Sequence, residues 1–536
     1  MGLEGISFKK TGYFSSLICD YLDEKPELNP FYNRFPSLEN FKKQIQEKEQ
    51  SGEVSQSHRH ILASVLKKQY AQIETSDITV EHIESLKSDK TFTITTGHQL
   101  NLFTGPLYFL YKIVSTINLA KILKSTYPDY NFVPIYWMAT EDHDFEEINY
   151  FNFKGKKIHW EKDSNGPVGD LSTEGLKAVF ELFSLELGHT KNADNLKRLF
   201  KKSYLEHSNL TDATRYLANE LFKDYGLVII DAADKDLKQL FVPFMENELL
   251  HTTSFKTVSQ TNEQINNLPN QPYGIQVNPR EINLFYVNEN VRERIVFDKG
   301  TYSVVNTNIT WTKETILEEV HTHPERFSPN VIMRPLYQEV ILPNLCYIGG
   351  GGELAYWLQL KAYFNTVNVP FPILLLRNSV LIKTQKQAGK LEKLGISNDD
   401  IFLKRDAFIN KKVREISNID IDFSAQKALL KQEFKALYEL AEQTDKSFLG
   451  AVKAQEVKQI KGLEHLEKRL LKAQKKKLAE QVSRMTELQN ELFPSQGLQE
   501  RNTNFSEFYL EYGEELISSL IKNLQPLRSE FLVLSL

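Results

Sequence analysis

Cysteine is nearly absent: Cys19 and Cys346 are the only two in 536 residues. A pair so far apart leaves no disulfide framework and no cysteine-based zinc site, and it points to a reducing compartment. Cys346 lies in the apolar run Asn344-Leu345-Cys346-Tyr347-Ile348, where a small buried hydrophobe is the expected role rather than a nucleophile. Long hydrophobic runs are missing as well. Nothing approaches the roughly 18 apolar residues of a membrane span. The opening stretch MGLEGISFKKTGYF lacks the apolar segment of a secretory signal. Gly2 follows Met1, but Ile6 stands where a myristoylation motif wants Ser or Thr. Charge of one sign is also lacking. A net charge of -5 and a pI near 6.2 give no footing for a nucleic-acid binder. The expectation is a cytoplasmic protein without membrane or nucleic-acid partners.

What the chain has is core material: 41% apolar and 11% aromatic residues, with 33 Phe and 23 Tyr. Its length calls for two or three structural units. Residues 1–90 read as helical and connective, with helix periodicity in Ser37 to Gln50 and His58 to Ile73. Then the β-branched run Thr91 to Thr96 stops at Gly97, and Gly105-Pro106 starts a helix from Leu107 to Lys124. A second buried run, Asn131 to Met138, ends at Ala139-Thr140-Glu141-Asp142-His143-Asp144. Strand, helix, strand makes a βαβ unit with parallel strands. Leu227 to Asp231, after a helical stretch from Asp212 to Tyr225, repeats the step. Residues 145–175 and 272–310 alternate like antiparallel strands, with turns at Asn165-Gly166-Pro167 and Asp298-Lys299-Gly300.

From Val331 to Leu376 the α/β texture returns. Arg334-Pro335 opens a short helix, Leu345 to Ile348 is a strand, Gly349-Gly350-Gly351-Gly352 leads into a helix Glu353 to Phe364, and Phe371 to Leu376 is a further strand. Ala425 to Leu492 has no Pro, and its apolar residues, Leu430, Phe434, Leu437, Ala441 and on to Leu492, follow heptad spacing. This predicts a coiled coil, with Thr384 to Leu394 as antiparallel partner and a break at Phe493-Pro494. Lys468 to Lys477 is basic, as a solvated helix face usually is; a phosphate-binding role is the sharper alternative. Glu530 to Leu534 is a last strand candidate. The expected division is an α/β core over 1–380 with insertions at about 145–210 and 235–330, a helical domain over 381–500, and a tail, 501–536, packed back on the core.

The chemistry gathers after strands, where open parallel sheets bind ligands. Gly97-His98-Gln99 and Glu141-Asp142-His143-Asp144 end strands about 4.8 Å apart if these are neighbours, so both can face one small ligand. The helix starting at Gly105-Pro106 offers free N–H groups to an anion. Read blandly, His98 and His143 are hydrogen-bonded core groups and the acids are helix caps. The density of polar groups at one sheet edge favours a functional site. Asp142, His143 and Asp144 could instead hold zinc or manganese, although no second histidine motif completes a ligand set. Gly349 to Gly352 could make an anion nest but lacks a P-loop ending. Arg334 suits a bidentate carboxylate or phosphate, or an ordinary salt bridge.

Together, Thr96-Gly97-His98-Gln99, Thr104-Gly105-Pro106 with Lys112, Trp137 with Thr140 to Asp144, Arg334-Pro335 with Gln338-Glu339, and Gly349-Gly350 with Glu353, Tyr356 and Trp357 resemble the cysteine ligases of bacillithiol biosynthesis. The likeness runs along nearly the whole chain. It implies a Rossmann-type parallel core with inserted connecting segments, and an antiparallel coiled-coil arm that makes a homodimer. It implies addition of L-cysteine to glucosaminyl-malate; because a free carboxylate must be activated before it forms an amide, ATP is the expected activator, with no metal beyond Mg carried by the nucleotide. His98, His143 and Asp144 are the catalytic candidates. Gly97, Gln99, Thr104, Gly105, Lys112, Glu141, Asp142, Asn330, Arg334, Gln338, Glu339, Gly349, Gly350, Glu353, Tyr356 and Trp357 are the substrate-binding candidates. His98 departs from the family's commoner Gly-Gln-Gln, leaving open whether it is catalytic or a replacement hydrogen-bonding group. The rival readings are a metal-dependent hydrolase or nucleotidyltransferase, and a non-catalytic metabolite-binding scaffold.

Overall fold

The computed structural model describes residues 2–52, 54–269, 273–288 and 291–536. Its centre is a parallel sheet of five strands: β1 (Thr91–His98), β2 (Asn131–Met138), β3 (Val228–Asp231), β4 (Asn344–Gly349) and β5 (Ile373–Leu376). They run in the order β5-β4-β1-β2-β3, every pair parallel. Strands covered on both faces carry continuous apolar or β-branched runs, which is why these five stand out in the sequence. The crossover helix Tyr108–Thr126 is buried at every position from Phe109 to Ala120. It lies between the sheet and the C-terminal segment, where the Asn118 amide donates to the carbonyls of Ile521 and Leu524. Its last turns, from Lys121 on, reach solvent.

The order places the topological switch between β1 and β4. β1 to β3 step outward on one side, and the chain then returns to pair β4 on the other. In such sheets the crevice outside the strand ends at this point receives ligands.

The insertions take two forms. Residues 284–329 build an antiparallel sheet in the order Thr310–Trp311, Thr301–Val304, Val291–Asp298, Leu284–Asn288, Phe327–Pro329. Its Lys299-Gly300 turn has both residues at positive φ (48° and 86°), the twist that two-residue hairpins prefer. Residues 272, 289 and 290 of the expected antiparallel stretch lie outside the described residues. The 145–175 region is simpler than its alternation suggests: one hairpin, Tyr150–Phe153 with Lys156–His159, turning at Lys154-Gly155, while Asn165-Gly166-Pro167 lies beyond it.

Three expectations need correction. Residues 1–90 are not wholly helical: Leu3–Ile6 pairs antiparallel with Phe531–Ser535, which also pairs parallel with Val380–Lys383. Glu353 to Phe364 is not one helix but two, Gly351–Trp357 and Lys361–Thr366. Between them Gln359 turns inward to bond Asn262 and the backbone at Gln276 and Val277, long-range bonds that outcompete helix propagation. The antiparallel partner of the long helix Lys446–Lys477 is Ser424–Glu442 rather than Thr384 to Leu394. That earlier segment forms helix Gln385–Lys393, which reaches Glu491 of helix Ala479–Leu492 through Gln387 and Lys390. The two-helix arm has its own small core of Phe434, Ala441 and Val452, separate from the main one.

Candidate functional site

The switch-point crevice is built by the ends of β1 and β4. Gly97 sits where an added Cβ would press on the Tyr347 hydroxyl at 3.3 Å, and a Cβ at Gly349 would meet Tyr347 and Glu353 at 2.9 and 3.0 Å. Both glycines allow the two strand ends to close on the Tyr347 ring. Lys112, buried on the crossover helix, donates to the Gly97 carbonyl at 2.6 Å and pairs with Glu353 at 2.7 Å. Glu353 also accepts from the Tyr347 hydroxyl (2.6 Å) and the Gly350 N–H (3.0 Å). Burial pushes its carboxyl up, but Lys112 and these donors outweigh burial and hold it below the usual carboxylate value.

Arg334 lies over this group. Its guanidinium faces the rings of Trp137 and Tyr347 at 5.7 and 5.6 Å and donates to the Gln338 carbonyl oxygen and the Tyr356 hydroxyl. Among the described residues no carboxylate lies within ion-pair distance of it. A third cation here, Arg377, directly follows β5 and pairs with buried Glu500 at 2.8 Å.

The β2 end stands one strand over, in register with β1: Gly97 opposite Trp137 and His98 opposite Met138. Gln99 joins the two strand-end loops by donating to Asp142 (2.9 Å) and Glu147 (2.8 Å). The other Asp142 oxygen accepts the His143 N–H at 2.7 Å. His143 is exposed, packs on Phe285, and its Nδ1 takes a 2.7 Å hydrogen bond from Arg292. In the neutral ring this puts the proton on Nε2, which makes that nitrogen a donor. Glu141 is already held by Lys238 through both oxygens, at 2.7 and 2.9 Å. Asp144 is exposed, and among the described residues its carboxylate has no partner.

Several candidates lie away from the crevice. Asn330 caps helix Met333–Ile341 through the N–H groups of Ile332 and Met333 and bonds Asn283. Glu339 is fully buried at the amino end of β4, bonded to Lys48 and Asn344. Trp357 stacks on Tyr347 with ring centroids 4.7 Å apart and is core. The glycine run is no open anion nest, because Glu353 occupies the Gly350 N–H. The helix start at Gly105-Pro106 is similarly closed: the Leu107 N–H donates to the Thr503 carbonyl. His98 is 7% exposed, with its ring against Tyr108 and Phe109. Burial, assisted by Lys112, lowers its pKa to about 3.

Asp142, His143 and Asp144 do not converge, and among the described residues no group of three or more His, Cys, Asp or Glu is placed to hold a metal ion. Both cysteines are buried, and burial raises the Cys346 thiol well above its usual value. No helix among the described residues is long and apolar enough to cross a membrane. Arg292, Lys238 and Tyr347 were not singled out in the sequence. Arg377 carried a signal, a lone cation directly after a buried strand; Arg292 and Lys238 carried none, since their partners are 149 and 97 residues away.

Residues 1–378 match the family described as the N-terminal Rossmann-like domain of bacillithiol biosynthesis BshC, and residues 380–536 match its C-terminal coiled-coil domain. Among curated proteins, the chain is 60% identical to one from Flavobacterium johnsoniae over the full length of both. It is 60% identical to one from Christiangramia forsetii over 99% of this chain and 98% of that one, and 26% identical to one from Bacillus cereus over 98% of each. Each bears the name "Putative cysteine ligase BshC".

Proposed function

Since the chain belongs to the BshC family of bacillithiol biosynthesis and is a ligase, we propose that it joins the carboxyl of L-cysteine to the amino group of glucosaminyl-malate, in the cytoplasm. A free carboxylate does not acylate an amine, so it is first activated at the expense of ATP, as an acyl phosphate or adenylate. The amine nitrogen then bonds the carboxyl carbon, the bond from that carbon to the phosphate-bearing oxygen breaks, and the amine gives up a proton.

The observation that carries this reading is Arg334: a guanidinium near two aromatic rings at the switch-point crevice, with no carboxylate at ion-pair distance among the described residues. A charge-assisted, bidentate partner fits it, as the malate or cysteine carboxylate would be. Lys112 and Glu353 form the floor of the crevice. Asp144 takes the proton from the attacking amine, because Glu141 is paired with Lys238 and the Nε2 of His143 is a donor. Asp142, fixed by Gln99, holds an amino group. The coiled-coil arm makes a homodimer; Leu429, Leu437, Leu440, Phe448, Val457 and Leu466 leave an apolar surface along its two helices.

The test is incubation with glucosaminyl-malate, cysteine and ATP, followed by mass spectrometry. The expected result is a product of cysteine plus glucosaminyl-malate less one water, with AMP or ADP. Full recovery of both substrates by a folded enzyme would overturn the reading.

A further inference from the structure

Beside the end of β1, a small cavity of about 10 Å³ lies between β2, the crossover helix and helix Leu210–Phe222. It is lined by His98, Asn101, Thr104, Tyr136 and Thr214, with Gln99, Phe109, Leu217 and Ala218 completing the wall. Each of those first five residues carries a buried polar atom without a partner among the described residues: His98 Nε2, Asn101 Oδ1, Thr104 Oγ1, Tyr136 OH and Thr214 Oγ1. Buried polar atoms are nearly always satisfied. Here five residues that carry such atoms, on three elements and one loop, line one space the size of a single water. An apolar cavity stays dry, but this one offers an amide oxygen, a ring nitrogen and three hydroxyls.

The loop that supplies two of these atoms is held there under strain. Phe103 and Thr104 are both left-handed (φ 47° and 67°), a conformation that non-glycine residues seldom adopt. It is secured by three hydrogen bonds: the Tyr204 hydroxyl oxygen accepts the Phe103 N–H at 2.8 Å, and the Asn504 amide donates to the carbonyls of Phe103 (2.8 Å) and Gly105 (2.6 Å).

We propose that this cavity is a built site for one internal water, and that His98 accepts a hydrogen bond from it through Nε2. The water donates to His98 and Asn101 and accepts from two of the three hydroxyls. His98 is thereby a positioning residue: it anchors the start of the loop whose next residue, Gln99, bridges Asp142 and Glu147. The buried imidazole stays neutral. The water site does not depend on the ligation reading.

A high-resolution crystal structure of the full chain tests it directly. The expected result is one water-sized density peak within hydrogen-bonding distance of His98 Nε2 and at least two of the hydroxyls; an empty cavity would overturn the site. Tyr136→Phe combined with Thr214→Val, which keeps the packing, is expected to lose the peak and lower Tm, and an unchanged or higher Tm would count against it. His98→Gln, whose amide oxygen can accept the same bond, is expected to keep the peak, and His98→Leu to lose it. The positioning role has its own readout in ligation. A His98→Gln enzyme that kept the water and its Tm but lost the roughly 10²–10⁴-fold of an acid–base group would show that His98 moves protons.

Discussion

Residue identity and residue environment part company most clearly at the two histidines. Both end or follow strands, and sequence position treats them alike. His98 is nevertheless buried and neutral, whereas His143 is exposed and tied to Arg292. Between about pH 6.5, where a free histidine titrates, and about pH 3, where folded His98 does, the unfolded chain takes up a proton that the folded chain refuses. Stability therefore rises with pH across that window and falls on acidification, by up to about 1.4 kcal/mol per pH unit for this one group. Denaturant titrations from neutral pH downward are expected to show a shallower acid limb in His98→Gln than in the parent. At the crevice, Arg334→Gln removes a charge-assisted bond worth about 1.5–3 kcal/mol, so KM for one carboxylate substrate is expected to rise roughly 10–100-fold in steady-state assays. Asp144→Asn is expected to act on kcat instead, by roughly 10²-fold or more. Equal kcat values for Asp144→Asn and the parent would remove Asp144 as the base.

Between elements, the buried charges decide how the strand ends are held. Lys238, wholly buried on the short helix Lys235–Gln239, grips Glu141 after β2 and the Phe327 carbonyl of the antiparallel sheet. It thus ties the insertion to the parallel core. Lys238→Met leaves an unpaired carboxylate behind and is expected to cost about 3–5 kcal/mol, while Lys238→Met with Glu141→Leu recovers most of it; thermal unfolding of the three variants checks this. Elements themselves were mostly legible. β1 to β5 are buried on both faces, and the apolar runs that result are local signals. The broken helix after the glycines was not legible, because Gln359 leaves the helical path to reach partners 82 to 97 residues away. Nor was the edge strand Leu3–Ile6, too short to show a period, whose partner lies at the other end of the chain.

For the whole molecule, the sheet order β5-β4-β1-β2-β3 moves the centre of the site. The two strand-end motifs do share an edge and are bridged by Gln99, but the switch point lies between β1 and β4, beside Tyr347, Lys112 and Glu353. At the far end, the arm's helices meet through only a thin core and leave apolar side chains outside. Leu440→Asp with Leu466→Asp is expected to turn a dimer into a monomer of unchanged helicity, read by light scattering and circular dichroism. A parent chain that is already monomeric at assay concentrations would remove the arm's proposed role. The basic face from Lys468 to Lys477 is largely exposed on the same helix, as a solvated surface would be.

The sequence by itself determined the parallel strands, the crossover helix, the heptad arm and the polar strand ends, because each is written in neighbouring residues through side-chain period, β-branching, glycine and proline. It also carried the family likeness. Only the tertiary structure decided which strand lies beside β1, which carboxylates are already paired, and which histidine is sealed off from solvent. Those outcomes depend on contacts between residues tens to hundreds of positions apart. The free energy of a buried charge or an orphaned hydroxyl belongs to its surroundings, and local sequence does not contain them.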